Sequence, residues 1–187
     1  MSEATDGAGK SCHTVFGVIL GTGCGGGITV DGKLLSGPNA IAGEWGHNPL
    51  PWPQVLDGID ERPGPECYCG KMGCIETFVS GPGLERDYLT ATGQNLTAHE
   101  ITSQENTKAE AALVRYEHRL ARALAGVINV LDPDVIVLGG GMSNTGRLYD
   151  TVPLLWSEWV FSDTATTRLA PALHGDASGV RGAAWLW

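Results

Sequence analysis

The chain has 187 residues, which is enough for one domain or one lobe of a larger enzyme but crowded for two domains. Its formal net charge of -9 argues against a nucleic-acid partner, because phosphate binding needs a basic face and the twelve Lys and Arg residues are scattered. No apolar run is long enough to span a membrane, and the first residues lack the order of a signal peptide, so we expect a cytoplasmic protein.

The first predicted elements surround a glycine-rich turn. Residues 14–20 (TVFGVIL) have the β-branched and aromatic content of a buried strand, which ends at the turn GTGCGGG of residues 21–27. Residues 28–30 and 33–35 fit a hairpin around Asp31-Gly32. The glycine run offers backbone N–H groups to an anion, but it is neither a Walker loop nor a dinucleotide fingerprint. A hairpin that simply begins with glycines explains it equally well.

The next segment, residues 36–81, is rich in Gly, Pro, Trp and Cys and lacks a sustained period, so we expect something other than regular structure to hold it. We call it the metal loop. It contains CYCGKMGC with a His twenty residues upstream, and these supply the ligands of a closed tetrahedral zinc site: His47, Cys67, Cys69 and Cys74. Because four ligands leave no position for water, the zinc is predicted to be structural. The alternative is a set of buried free cysteines beside an unrelated His.

The rest of the chain is predicted to alternate helices and strands. The clearest helix covers residues 107–131, where apolar residues recur at spacings of three and four and Arg and Glu occupy the other face. The resulting order predicts an α/β domain with a mixed sheet. The other predicted elements are helices starting at 80–82 and covering 98–103, 144–160 and 178–187, and strands at 135–138 and 168–173.

Two acidic residues flank the predicted metal ligands. Glu44 lies in GEWGH just before His47, and Glu76 follows the last cysteine of the motif. Paired carboxylates accept hydrogen bonds from neighbouring sugar hydroxyls with directional specificity. A lone Glu is usually a solvated surface residue, but the metal loop would bring these two together with an imidazole. A second glycine cluster, residues 139–141, follows a strand at a position where α/β sheets bind ligands, although a glycine-rich turn without a ligand explains it as well.

Taken together, GTGCGGG, AGEWGHNPLP, CYCGKMGCIET and VIVLGGGMSN resemble the ROK family of bacterial sugar kinases. The segments ETFVSGPGLERDY and ASGVRGAAWLW are similar to the sequences of fructokinase and mannokinase members of that family. The resemblance implies an actin-like ATPase (ribonuclease H-like) fold, ATP with Mg²⁺ as cofactor beside the structural Zn²⁺, and a homodimer. It implies that sugar hydroxyls contact Glu44, His47 and Glu76, that the phosphate loop is Gly21, Thr22 and Gly23, and that the adenosine lies near Gly139, Gly140 and Gly141.

The chain departs from the family pattern at its start. Such kinases have an N-terminal lobe with a first phosphate loop and an Asn-Asp pair whose Asp is the catalytic base, and the beginning SEATDGAG resembles the stretch shortly after that pair. Residues 1–187 are therefore interpreted as the C-terminal lobe alone. We expect no catalytic residue in it and little activity by itself.

The leading hypothesis is an ATP-dependent hexose kinase of fructokinase type, which transfers a phosphoryl group to a sugar hydroxyl at C6. The three predicted sugar contacts suit several hexoses, among them fructose and mannose. One alternative is a non-catalytic sugar-binding or dimerisation module as in ROK-type repressors, although no basic helix-turn-helix segment is visible. Another is an independent zinc protein without a ligand.

Overall fold

The computed structural model describes residues 1–175, and its centre is a five-stranded mixed sheet. Single turns of 3-10 helix cover Trp45–His47 and Gly141–Asn144. In chain order the other elements are α1 (Ser2–Thr5), β1 (Thr14–Leu20), β2 (Cys24–Val30), β3 (Lys33–Leu34), β4 (Val55–Leu56), β5 (Ile59–Asp60), α2 (Glu76–Val79), α3 (Gly81–Thr92), α4 (Ala98–Thr102), α5 (Thr107–Leu131), β6 (Val135–Gly139), α6 (Leu148–Trp156) and β7 (Arg168–Pro171).

The sheet has the strand order β3-β2-β1-β6-β7, and β4 and β5 form a separate small hairpin. β1 pairs antiparallel with β2 and parallel with β6, so Val18 lies opposite both Gly26 and Leu138. β6 is buried along its whole length, because helices or chain segments cover both faces of the sheet. The mixed α/β sheet predicted from the sequence is therefore confirmed.

Helix α5 forms the centre of the core. It begins after Asn106, whose side chain accepts hydrogen bonds from two backbone N–H groups of the first turn. Its apolar face is buried as its periodicity predicts. Part of its charged face is also buried, since Arg115, Arg119 and Arg122 pack against α3 and the metal loop. No helix in residues 1–175 has the length and apolar character needed to cross a membrane.

The second strand is longer than predicted. β2 begins at Cys24, so the turn is confined to residues 21–23 and the glycines that follow it belong to the strand. They allow close packing across the sheet: a Cβ on Gly26 would lie 2.8 Å from the Phe16 ring and 3.0 Å from Trp45. Trp45 also donates a hydrogen bond from its indole N–H to the carbonyl of Gly25. Glycine at these positions makes room for aromatic side chains.

Smaller differences occur near the C-terminus. The helix predicted over 144–160 is limited to α6, which begins after Arg147, a residue whose side chain bonds Glu110 and Glu117 of α5. The strand predicted over 168–173 ends at Pro171. The helix predicted over 178–187 lies outside the described residues.

Candidate functional site

The four predicted metal ligands lie together. Their ligand atoms all fall within 4.8 Å of one another. Sγ of Cys67 is 3.5 Å from Nδ1 of His47, and Sγ of Cys69 is 3.6 Å from Sγ of Cys74. With Zn–S bonds of about 2.3 Å and Zn–N bonds of about 2.0 Å, a tetrahedral site places neighbouring ligand atoms roughly 3.5–3.8 Å apart. The donor set and its spacing therefore fit a closed zinc site.

A tight backbone knuckle holds the thiols in this arrangement. The N–H of Cys67 donates to the carbonyl of Lys71 at 2.9 Å, and the N–H of Gly70 donates to the carbonyl of Cys67 at 2.9 Å. Gly70 and Gly73 have φ values of +82° and +69°, which side chains rarely adopt. A Cβ on Gly73 would also lie 2.6 Å from the carbonyl oxygen of Pro63. The two glycines of the motif are thus required by the wrapping of the loop.

The thiols differ in their electrostatic environment. A backbone hydrogen bond from Lys71 lowers the pKa of Cys69 to about 7. Burial, together with the neighbouring Cys69 and Cys67, raises the pKa of Cys74 to about 12. Three thiolates this close together repel one another, and a divalent cation would offset that repulsion and the cost of burial. The chemistry of the donor set is thus that of a cation site.

His47 uses its two ring nitrogens in different directions. Nδ1 faces the thiols, whereas Nε2 lies 2.8 Å from the hydroxyl of Tyr68. The two rings meet edge to face with centroids 5.0 Å apart. The second nitrogen, expected to face a sugar, therefore has a protein partner that sequence reasoning missed. The only signal for it was its position between two ligands in CYC.

The two predicted carboxylates occupy different surroundings. Glu76 begins α2, and its Oε2 accepts a hydrogen bond from the N–H of Cys24 at 2.9 Å. Glu44 is exposed and immediately precedes the turn that carries His47. Desolvation raises the pKa of Tyr68, and the negative charges of Glu76 and Glu44 are among those that raise it further. Both carboxylates therefore act on the region around Tyr68 and His47.

The two glycine clusters meet at one end of the sheet. Gly21 and Gly141 both line a cleft of about 630 Å³. Gly140 has φ +83°, and a Cβ there would lie 2.6 Å from the carbonyl of Leu20. Gly139 instead lines a separate cavity against α1. The residues that complete the cleft come from the start of α3, from α4 and from the segment before α6: Gly81, Ala98, His99, Thr102, Ser103, Met142, Asn144, Thr145, Gly146 and Arg147.

The turn of residues 21–23, which we call the phosphate turn after its predicted role, is tied to the metal loop. Gly81 donates its N–H to the carbonyl of Gly21 at 2.8 Å, and a Cβ on Gly23 would lie 2.7 Å from Oε2 of Glu76. Thr22 lies between them in the turn. The carboxylate of Glu76, which is predicted to bind the sugar, and the predicted phosphate turn are therefore neighbours.

A buried ion network, which we call the arginine ladder, fixes the other side of the metal loop to α5. Glu61 binds Arg119 at 2.9 Å and Arg122 at 2.7 Å, and Asp87 binds Arg119 at 2.6 Å and Arg115 at 2.7 Å. Burial alone would raise the pKa of Glu61, but hydrogen bonds from Arg122, from a backbone N–H and from Arg119 leave it below the ordinary value. This network was not predictable from the sequence, because its members lie on three separate segments.

The family model described as "ROK family" matches residues 1–187. The N-acetyl-D-glucosamine kinase of Yersinia enterocolitica is 40% identical over 193 aligned residues, which cover 100% of this chain and 62% of that relative. The chain thus spans less than two thirds of the length of this curated relative.

Two solved structures share the fold. The ROK hexokinase of Thermus thermophilus has a TM-score of 0.83 at 28% identity, over 98% of this chain and 62% of the other. A ROK family glucokinase of Streptomyces griseus, in complex with glucose and AMPPNP, has a TM-score of 0.84 at 27% identity, over 99% of this chain and 64% of the other. The actin-like ATPase fold predicted from the motifs is confirmed.

Proposed function

The chain belongs to the ROK family, and from this premise we propose that it is the C-terminal lobe of an ATP-dependent sugar kinase. The observation that carries the proposal is the position of Glu76. It follows the metal motif directly, and its carboxylate holds the backbone N–H that ends the phosphate turn. A sugar hydroxyl bound there would lie next to the phosphates of ATP, as phosphoryl transfer requires.

In this proposal the chain binds and orients both substrates. Glu44, His47 and Glu76 contact sugar hydroxyls, since carboxylates accept the hydrogen bonds of the hydroxyl groups and the imidazole donates one from Nε2, the nitrogen that does not face the thiols. The turn at Gly21, Thr22 and Gly23 faces the phosphates, which carry Mg²⁺, and the loop from Gly139 to Gly141 lies near the adenosine. Zinc, when bound, supplies rigidity to the metal loop. We assign no proton acceptor among these residues and propose that it lies in the preceding lobe of the longer relatives.

For the sugar itself, the related kinase named above favours N-acetyl-D-glucosamine as the first candidate. The fructokinase type expected from the sequences of two segments has no support in that comparison. Fructose and mannose therefore rank behind N-acetyl-D-glucosamine, and we propose C6 as the hydroxyl that receives the phosphoryl group.

An assay of ADP release tests this function. The zinc-loaded chain is measured alone and as a chimera with the N-terminal lobe of the Yersinia kinase, using N-acetyl-D-glucosamine, glucose, mannose and fructose. The proposal predicts little turnover by the chain alone and sugar-dependent turnover by the chimera, which Glu76→Gln reduces. Ordinary kinase rates from the chain alone would contradict the lobe assignment. A folded chimera that binds sugar without turnover would favour the non-catalytic module instead.

We also propose that the chain forms a homodimer. An apolar groove of about 660 Å³ lies between the metal loop and the end of α5. It includes Val130, which is 90% exposed, and Ile41, which is 61% exposed, and monomeric proteins rarely leave such side chains grouped together. Analytical ultracentrifugation tests the proposal, with a dimer for the wild type and a monomer for Val130→Asp as the expected result. A monomeric wild type would contradict it.

A further inference from the structure

Tyr68 combines high exposure with a specific contact. Its side chain is among the most exposed apolar groups of residues 1–175, at 83% relative exposure. Its hydroxyl nevertheless lies 2.8 Å from Nε2 of His47. Its backbone is fixed on both sides by Cys67 and Cys69, so the ring stands at the edge of the proposed metal site without belonging to the core.

The direction of this hydrogen bond follows from the surroundings of His47. Nδ1 faces the thiols at 3.5 Å, so its lone pair is directed at the cation site. A neutral ring that binds metal through Nδ1 carries its proton on Nε2. Nε2 therefore donates, and the Tyr68 oxygen accepts. A sugar hydroxyl can accept the same hydrogen bond while donating its own proton to a carboxylate such as Glu76.

We propose that Tyr68 is a removable cap on His47, whose hydroxyl holds Nε2–H until a sugar hydroxyl displaces it. The inference rests on the proposed sugar site. Because the ring is exposed, it can leave without opening packed structure. A ligand with a single hydroxyl gains only the hydrogen bond that it replaces, whereas a sugar also reaches Glu44 and Glu76. The cap therefore favours ligands with several adjacent hydroxyls.

The test compares the zinc-loaded full chain with its Tyr68→Phe variant, which keeps the ring and removes only the hydroxyl. N-acetyl-D-glucosamine is titrated and followed by NMR, which also reports the ¹⁵N shift of Nε2 in His47. We expect the variant to bind the sugar about two- to tenfold more tightly, because the sugar then displaces only water from Nε2 and not a hydroxyl held in place by the protein. The Nε2 signal of the sugar-free wild type should shift in the variant. Met72→Ala, at another exposed position of the same knuckle, is the control and should leave both readouts unchanged.

Each other outcome is decisive. Weaker or unchanged sugar binding by Tyr68→Phe, with one zinc per chain retained, overturns the cap while leaving the sugar site in place. Loss of zinc from Tyr68→Phe also overturns it, since Tyr68 would then be a support of the metal site. No sugar binding by either folded, zinc-loaded protein overturns both the cap and the proposed function.

Discussion

Replacing Glu61 with Ala should produce a large loss of stability. The carboxylate is fully buried and joins the metal loop to α5 through two arginines. After its removal, Arg119 keeps Asp87 as an ionic partner, whereas the partners that Arg122 keeps among residues 1–175 are the backbone carbonyls of His118 and Trp52. Breaking a buried ion pair by removing one partner costs about 3–5 kcal/mol, because a buried charge is left uncompensated. For a chain of this size, that corresponds to a decrease of roughly 6–20 °C in Tm.

The adjacent residue supplies a matched control. Asp60 pairs with Arg62 at the surface, with about half of each side chain exposed, so Asp60→Ala should leave stability nearly unchanged. Urea unfolding measures both variants against the wild type, and hydrogen exchange reports whether the metal loop loses protection in Glu61→Ala alone.

A third variant separates charge from shape. Glu61→Gln keeps the side-chain volume and part of the hydrogen bonding, so it should lie between the wild type and Glu61→Ala. If Glu61→Ala unfolds within 1 kcal/mol of the wild type and its metal loop stays protected, the arginine ladder does not hold the loop, and the reasoning is wrong.

Three further predictions concern the metal loop and its surroundings. Cys69→Ala should lose zinc and hydrogen-exchange protection of the loop, whereas Cys12→Ala, outside the motif, should keep one zinc per chain by elemental analysis. Gly46→Ala should destabilise the protein by about 1–3 kcal/mol in urea unfolding, because the new Cβ would lie 2.0 Å from the carbonyl of Cys24, while Gly25→Ala meets no atom within 4 Å. Since the pKa of Glu61 lies below its ordinary value of 4.5, its contribution to the free energy of unfolding should be complete above that pH and decrease as acid protonates it. Urea unfolding at a series of acidic pH values should therefore show a weaker loss of stability in Glu61→Gln than in the wild type. An equal loss in both proteins would contradict this.

The clustering of His47 with the three cysteines was predictable because its signal is mostly local. Three cysteines within eight residues, with two glycines between the second and the third, describe the knuckle almost completely. His47 is the one predicted ligand that lies far from the motif in sequence, and the structure places its Nδ1 3.5 Å from Sγ of Cys67. The buried strands and α5 were predictable for a similar reason, since their periodicity is contained within single segments.

The missed features depend on tertiary contacts. Arg119 and Arg122 fall on the polar face of an amphipathic helix, and only the packing of the metal loop against that face buries them. Tyr68 could not be assigned a role before the loop had placed its hydroxyl at His47. Gly26 was interpreted as part of a turn because the sequence does not show which aromatic rings cross the strand.

The most direct test of the central claim is an NMR titration of the zinc-loaded chain with N-acetyl-D-glucosamine, observing the side chain of His47 and the backbone amide of Cys24, which Glu76 holds at 2.9 Å. The account predicts saturable shifts at both positions, which Glu76→Gln weakens while one zinc per chain is retained. Absence of any saturable shift at either position in the folded, zinc-loaded wild type would contradict it.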